Sequence, residues 1–380
     1  MRLILNVDAI TQPLTGIGRY VLNLARGLHR HPEVEDCRFY SAYQWIDDPD
    51  SALEANRLVS SARRYVPFKT FALSAYFHAR QAVFRQRARK LKGYLLHSPN
   101  YLAFQHDGPV VSTFHDLSYL HFPECHPVER VRIMAQEIPK TLRMVSHIIT
   151  DSEFVRQEVI DTYGVKAENV TSIPLGVDSV FRPRPWEETL AVLRRYHVDD
   201  KPYLLVVATL EPRKNLARLL LAYGQMDARL RAAYPLVIVG VSGWLTGEIE
   251  RLAAPLEAAG LVRRLGYVRE QDLPYLYAGA HAFAFPSLYE GFGLPPLEAM
   301  ASGVPVLVSN GSSMAEVVGD AGLLVDPYDI EQLADKLWQL LVDGEFRQRA
   351  SRRGLERAGE FTWGRSIDRA VEVYRRVGHG

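Results

Sequence analysis

Two glutamates, Glu290 and Glu298, bracket the run Gly291-Phe292-Gly293-Leu294-Pro295-Pro296-Leu297. Pro295 or Pro296 suits the first turn of a helix, so the spacing predicts both carboxylates near one helix start. Gly291 and Gly293 let the backbone approach a ligand closely. Carboxylates accept hydrogen bonds from vicinal hydroxyls, so the pair suits a polyhydroxylated ligand, with backbone N–H groups left over for phosphate oxygens. The helix dipole by itself favours acids at such a place; it accounts for one glutamate and poorly for the whole pattern.

Three other places carry usable chemistry. Arg213 and Lys214, within Thr209-Leu210-Glu211-Pro212-Arg213-Lys214-Asn215, could clamp a diphosphate, the arginine as a fork and the lysine as a compact charge. The alternative is a solvated basic pair. Gly16-Ile17-Gly18 precedes an amphipathic helix, where backbone N–H groups receive phosphate, or it is a plain loop pair of glycines. It is no dinucleotide fingerprint, because Val21 stands where a third glycine is needed, and no Walker-type run occurs. His115-Asp116 could orient a substrate or move a proton, or be structural. His121, Cys125 and His126 match no zinc spacing, and Asp48-Pro49-Asp50 reads as an acidic turn, so no metal site is expected.

The elements that position these residues read as alternating strands and helices. Strands are predicted at Leu3–Val7, Tyr94–Leu96, Val110–Thr113, His147–Thr150, Tyr203–Ala208, Leu236–Val239, Arg264–Tyr267, Ala282–Phe285, Val304–Val308 and Leu323–Val325. The first helix is expected from about Arg19 to His29. Such alternation implies parallel sheets covered on both faces. Gly176 and the prolines between Pro174 and Pro185 interrupt the pattern. The expected division is residues 1–180, 181–360 and a terminal helix in 361–380 that returns toward the first domain. The fold class is therefore α/β, two doubly wound Rossmann-like domains facing a central cleft, with function in the loops that follow strands.

With 380 residues, 47% hydrophobic and 23% charged, the chain has the composition of a globular protein of two domains. No apolar run reaches the length of a membrane span, and Asp8 interrupts the apolar start before a signal-peptide core forms. Two cysteines, Cys37 and Cys125, make no disulfide framework, so a cytoplasmic setting is expected. A net charge of +1 gives no nucleic-acid footprint, but it is unevenly spread. Ten Lys or Arg and no acid lie between Ala55 and His106, leaving −9 on the remainder. Within this basic surface, Arg57 to Lys92, the stretch from Phe68 to Lys92 interleaves Phe71, Tyr76, Phe77 and Phe84 with cations. Such a surface could dock on an anionic leaflet, or it is a basic helix with solvated charges.

In combination these segments resemble the retaining glycosyltransferases of the GT-B fold, family four. The resemblance rests on Glu290 to Glu298, Glu211-Pro212-Arg213-Lys214-Asn215, Gly16-Ile17-Gly18-Arg19-Tyr20, His115-Asp116 and Thr150-Asp151-Ser152-Glu153-Phe154. The wording of the first two is similar to the mannosyltransferase-B group that builds bacterial O-antigen. The resemblance implies a nucleotide-sugar donor, favouring a GDP-sugar, and a saccharide or lipid-linked acceptor. Glu298 would bind the ribose, while Glu290 with the backbone of Gly291, Phe292, Gly293 and Leu294 would hold the sugar and its phosphate. Arg213 and Lys214 would neutralise the diphosphate, Gly16 and Gly18 would approach it, and His115 would contact the sugar. The base would be read by backbone near Tyr267 and Val268. Retention without a protein nucleophile is implied, with no metal and no cofactor, at the inner face of the plasma membrane. Rival classes are a non-enzymatic sugar-binding protein, a nucleotide-sugar epimerase or hydrolase on this fold, and a pyridoxal-dependent phosphorylase, which would need a longer chain.

Overall fold

Leu95–Ser98 and Val110–Phe114 are buried at every position rather than at alternate ones, the pattern of strands covered on both faces. The structure, a computed structural model, describes residues 1–12, 14–54, 56 and 70–378, with the backbone alone for 70–78. The chain divides into two units, Met1–Gly176 with Trp363–Gly380, and Val177–Thr362. The divisions fall at Gly176 and Thr362 rather than at 180 and 360. The Val177 N–H donates to the Phe361 carbonyl at 3.0 Å, so the outgoing and returning chain run side by side there.

Unit 1 holds a seven-stranded sheet made of β1 (Arg2–Asn6), β2 (Asp36–Ser41), β3 (Gln44–Ile46), β4 (Leu95–Ser98), β5 (Val110–Phe114), β6 (His147–Thr150) and β7 (Val170–Ser172). Their order is β3-β2-β1-β4-β5-β6-β7, parallel except for β3 against β2. Strands β2, β3 and β7 escape the sequence reading for a physical reason. β2 buries only its second half, Phe39 to Ser41, and β3 and β7 are edge strands of three residues, too short to show a period.

The helix Gly16–Arg30 starts three residues earlier than its periodicity predicts, because the Thr15 hydroxyl caps it by accepting from the Gly18 N–H at 3.1 Å. Its apolar stripe includes Tyr20, Val21, Leu24 and Leu28. The terminal helix Trp363–Gly378 packs on it, and a side chain at Gly27 would collide with Ile367, whose Cδ1 lies 2.0 Å from the place a Cβ would take. This packing completes a buried polar relay. His97 Nδ1 lies 2.7 Å from the Tyr374 hydroxyl, His97 Nε2 lies 2.8 Å from Thr113 Oγ1, and Thr113 Oγ1 lies 3.0 Å from the Tyr20 hydroxyl. Burial, helped by the neighbouring His115, pushes the His97 ring down to about 3, so it is neutral, with one nitrogen donating and the other accepting.

The helix Thr70–Ala88 corrects one expectation. Phe84 is fully buried against Tyr40, Trp45 and Phe104, so it belongs to the core and not to a membrane-facing surface. Arg80 pairs with Asp8 and lies over the Phe104 ring. Arg85, Arg87, Arg89, Lys90 and Lys92 are exposed. Arg57, Arg63, Arg64 and Lys69, with the side chains of Phe71, Tyr76 and Phe77, lie outside the described residues. Among the described residues no helix is long and apolar enough to cross a membrane.

Unit 2 holds β8 (Leu204–Val207), β9 (Leu236–Val239), β10 (Val262–Gly266), β11 (Ala282–Phe285), β12 (Val306–Ser309) and β13 (Leu323–Val325). They lie in the order β10-β9-β8-β11-β12-β13, all parallel. β10 ends at Gly266, whose φ of 63° turns the chain, and Tyr267, predicted within the strand, lies beyond it and is 55% exposed. β12 starts two residues late because the Val304 N–H closes the preceding helix by donating to the Ala299 carbonyl. Strand order reverses between β8 and β11, so the loops that follow these two strands emerge side by side.

Candidate functional site

The loop after β8 is short and tightly turned. Glu211 precedes a single 3₁₀ turn, Pro212–Lys214, and Asn215 then takes a left-handed conformation, φ 59°, before the helix Leu216–Gln225. Asparagine tolerates that conformation better than most residues because its short amide bonds nearby backbone. Here Nδ2 donates to the Pro286 carbonyl at 2.9 Å and to the Pro327 carbonyl at 2.7 Å. The Leu288 N–H donates to the Arg213 carbonyl at 2.9 Å. The loops after β8, β11 and β13 are thus laced together.

Four charged side chains meet where those loops join. Arg213 Nη2 donates to Glu211 Oε1 at 2.8 Å, and its Nη1 donates to the Tyr289 carbonyl at 2.7 Å and to Glu290 Oε2 at 3.3 Å. Lys214 Nζ donates to Glu290 Oε1 at 2.6 Å, and the Ser287 hydroxyl donates to the same oxygen at 2.6 Å. The four side chains are only 6–13% exposed. Burial and then the charge of Arg213 hold the Lys214 ammonium below the usual lysine range, against the pull of both carboxylates. Burial pushes the Glu290 carboxyl up, but Lys214 and Arg213 outweigh it and leave it below the usual glutamate range. The cluster therefore holds two cations and two carboxylates, paired with one another, where water solvates them poorly.

The segment from Glu290 to Glu298 is held by its backbone. The Glu290 N–H donates to Ser312 Oγ at 3.2 Å, and the buried Ser313 hydroxyl lies 2.9 Å from the Glu290 carbonyl and 2.8 Å from that of Phe292. Gly293 takes φ 118° at the start of the helix Leu294–Ala301, and a Cβ there would come within 2.2 Å of Met314 Cε. Pro295 and Pro296 occupy the first turn, and Glu298 follows on the second, buried. The Phe292 ring packs on Phe361 in the core, so its side chain does not face a ligand. Gly291 is buried beside it, and Leu294 is half-buried. Tyr267 and the buried Val268 follow β10, two strands from β8, and do not join the cluster.

In unit 1 the sequence candidates divide. The Thr15 cap takes the Gly18 N–H, and a Cβ on Gly18 would lie 3.0 Å from both the Ala9 carbonyl oxygen and Leu14 Cδ2, so Gly18 serves the helix start and its packing. An anion at this helix start would meet the N–H groups of Gly16 and Ile17. His115 follows β5, buried, with Nε2 2.9 Å from the Pro99 carbonyl and Nδ1 2.7 Å from Asp151 Oδ2. Its spatial partner is Asp151, after β6, and not the adjacent Asp116. Asp116 instead accepts from the Tyr101 hydroxyl and from Ser118. Burial lowers the His115 ring, yet the carboxylate of Asp151 prevails and raises it. His121 lies 2.9 Å from Glu158, and His126 Nε2 lies 2.9 Å from Ser118 Oγ.

Four positioning residues, Asn215, Ser287, Ser313 and Asp151, received no role from the sequence. All four follow strand ends. Asn215 and Asp151 also lie within segments that carry the family resemblance, while for Ser287 and Ser313 the strand-end location is shared by too many residues to select them.

Comparison with known proteins places these features. Residues 194–357 match the family model Glycosyl transferases group 1, and residues 14–181 match Glycosyltransferase Family 4. The chain is 37% identical over 381 residues to the O-antigen chain mannosyltransferase B of Escherichia coli, covering 99% of this chain and 100% of that one. It is 31% identical to the serotype-specific mannosyltransferase WbdA of Escherichia coli, over 60% of this chain and 29% of that one. Among solved structures, sucrose-phosphate synthase from Thermosynechococcus elongatus superposes with a TM-score of 0.75 at 22% identity, covering 99% and 98% of the two chains. WaaG, a glycosyltransferase involved in lipopolysaccharide biosynthesis, does so with a TM-score of 0.74 at 18% identity, covering 98% and 99%.

Proposed function

The chain belongs to the glycosyltransferases of group 1 and family 4 and has the GT-B fold, and on that premise we propose that it moves a hexose, mannose or rhamnose, from a GDP-sugar to a growing lipid-linked polysaccharide such as O-antigen. The full-length likeness to an O-antigen chain mannosyltransferase supports the sugar and the polymer. The observation that carries the donor assignment is the buried cluster of Glu211, Arg213, Lys214 and Glu290 at the reversal of strand order.

Cleaving a sugar–phosphate bond gathers negative charge on the departing diphosphate. Fixed cations beside it stabilise the transition state more than the ground state, and that difference is what accelerates the step. Arg213 and Lys214 supply this charge and take the place of a divalent metal. Glu290 and the backbone from Gly291 to Leu294 hold the sugar and its phosphate, Glu298 holds the ribose, and the backbone at Tyr267 and Val268 reads the base. On unit 1 we assign anion contact to the first turn at Gly16–Gly18 and sugar contact to His115. Transfer retains anomeric configuration by same-face attack, with a diphosphate oxygen taking the acceptor proton and no protein nucleophile.

The test of the donor is a thermal-shift panel of GDP, UDP and dTDP. A ligand that binds only the native state raises stability by about 2.7 kcal/mol at one hundred times its Kd, so the largest shift is expected with GDP. A shift with UDP alone overturns the GDP assignment. Nucleotide release that depends on added acceptor separates transfer from hydrolysis or epimerisation.

The exposed cations Arg85, Arg87, Arg89, Lys90 and Lys92 support docking at the inner face of the plasma membrane, where a lipid-linked acceptor is presented. Each cation near an anionic leaflet contributes about 1 kcal/mol. The protein is expected to sediment with phosphatidylglycerol-containing vesicles at low salt and to lose binding when these five are replaced by glutamine. Failure of the native protein to sediment discards this docking.

A further inference from the structure

The charged cluster in unit 2 is balanced from within. Arg213 and Lys214 face Glu211 and Glu290, two cations against two carboxylates, all nearly buried. A balanced cluster offers an arriving diphosphate little net attraction, because each cation already has its counter-ion at hydrogen-bond distance. The two carboxylates are not equivalent. Glu211 bonds Arg213 alone among these cations, at the start of the turn that sets the loop. Glu290 joins both cations and takes the shortest ion pair of the cluster, 2.6 Å to Lys214 Nζ.

The backbone of Glu290 is fixed independently of its side chain. Its N–H goes to Ser312, its carbonyl accepts from Ser313, and the neighbouring Leu288 N–H goes to the Arg213 carbonyl. The carboxylate can therefore leave Lys214 by side-chain rotation without moving the loop. Among the described residues, it is held by bonds from Lys214, Arg213 and Ser287.

Building on the donor-clamp reading above, we infer that Glu290 is the internal counter-ion of Lys214, occupying the position of a diphosphate oxygen until the donor displaces it. The displaced carboxylate then turns to the sugar hydroxyls, while Glu211 keeps Arg213 in place. After transfer, the return of Glu290 to Lys214 competes with the product nucleoside diphosphate and speeds its release. One carboxylate thus lowers product affinity and serves the transferred sugar.

The test is calorimetric titration of GDP, or of UDP if the thermal panel selects it, into native protein and four variants. A charge-assisted hydrogen bond corresponds to roughly a tenfold change in a binding constant or more, so Glu290→Gln is expected to bind the nucleotide about tenfold more tightly than native. Its transfer rate falls at the same time. Ser287→Ala, which removes one bond holding Glu290 and spares the charges, is expected to tighten binding about twofold. Glu211→Gln removes the same charge as Glu290→Gln but leaves the Lys214–Glu290 pair, so it tightens binding less. Lys214→Met weakens it. Native-like or weaker binding by both Glu290→Gln and Ser287→Ala, with Lys214→Met still weakened, overturns the counter-ion role and leaves the donor clamp standing. Unchanged binding by Lys214→Met overturns the clamp itself and this inference with it.

Discussion

Lys214→Met is expected to lower the rate of sugar transfer by about a hundredfold or more, since a preorganised group aimed at developing charge contributes on that scale. The lysine sits 5.4 Å from the Phe285 ring and next to Arg213, in a setting where burial already depresses its ammonium. A cation held there is not reorganised when charge appears on the diphosphate. Because the charge develops during the step, kcat itself should fall, and kcat/KM should fall at least as much, since the lysine also holds the diphosphate in the ground state. Methionine keeps most of the side chain's volume, so the change isolates the charge. Arg213→Ala is a harsher variant, because it strips partners from both Glu211 and Glu290 and leaves two carboxylates nearly buried; loss of a buried partner costs about 3–5 kcal/mol of stability. Steady-state kinetics on folded Lys214→Met, verified by its melting curve, decides the matter. A kcat within threefold of native removes Lys214 from the proposed mechanism.

Glu298→Ala is expected to raise the donor KM by about a hundredfold, with a smaller change in kcat. Two hydrogen bonds from vicinal hydroxyls to a buried carboxylate are worth about 1.5 kcal/mol or more each, which gives that factor. The ribose does not react, so the contact is made in ground and transition states alike and appears mainly in KM. Gly293 at φ 118° starts the helix, Pro295 and Pro296 form its first turn, and Glu298 is delivered on a rigid element rather than a loop. Glu298→Gln, which keeps the size and one acceptor, should recover part of the loss. Unaltered donor affinity in Glu298→Ala would remove the ribose assignment.

Much of unit 2 was legible in advance because its strands are short runs of buried apolar residues, such as Leu236–Val239 and Ala282–Phe285, separated by helices. Where the burial is partial the signal fades, as in β2, or at an edge, as in β3 and β7. Phe84 shows the opposite error. Its cationic neighbours suggested an exposed aromatic, yet one face of its helix is core, and a run of basic residues conceals that face. Adjacency in the sequence pairs His115 with Asp116, but neighbours in a chain leaving a strand point different ways. The carboxylate that meets the ring is Asp151.

Residue order alone specifies the chemistry on offer: which loops carry carboxylates, cations and conformationally free glycines, in what order, and that they follow strands. Tertiary structure decided which of them meet. Lys214 and Glu290 stand 76 positions apart, and His115 and Asp151 stand 36 apart, yet each pair is joined by a hydrogen bond under 3 Å. The physical reason is the parallel crossover, which brings the ends of distant strands side by side and is specified by the packing of every strand between them. Contacts of a few ångströms set charge balance and pKa, and no local pattern of residue types encodes distances of that size.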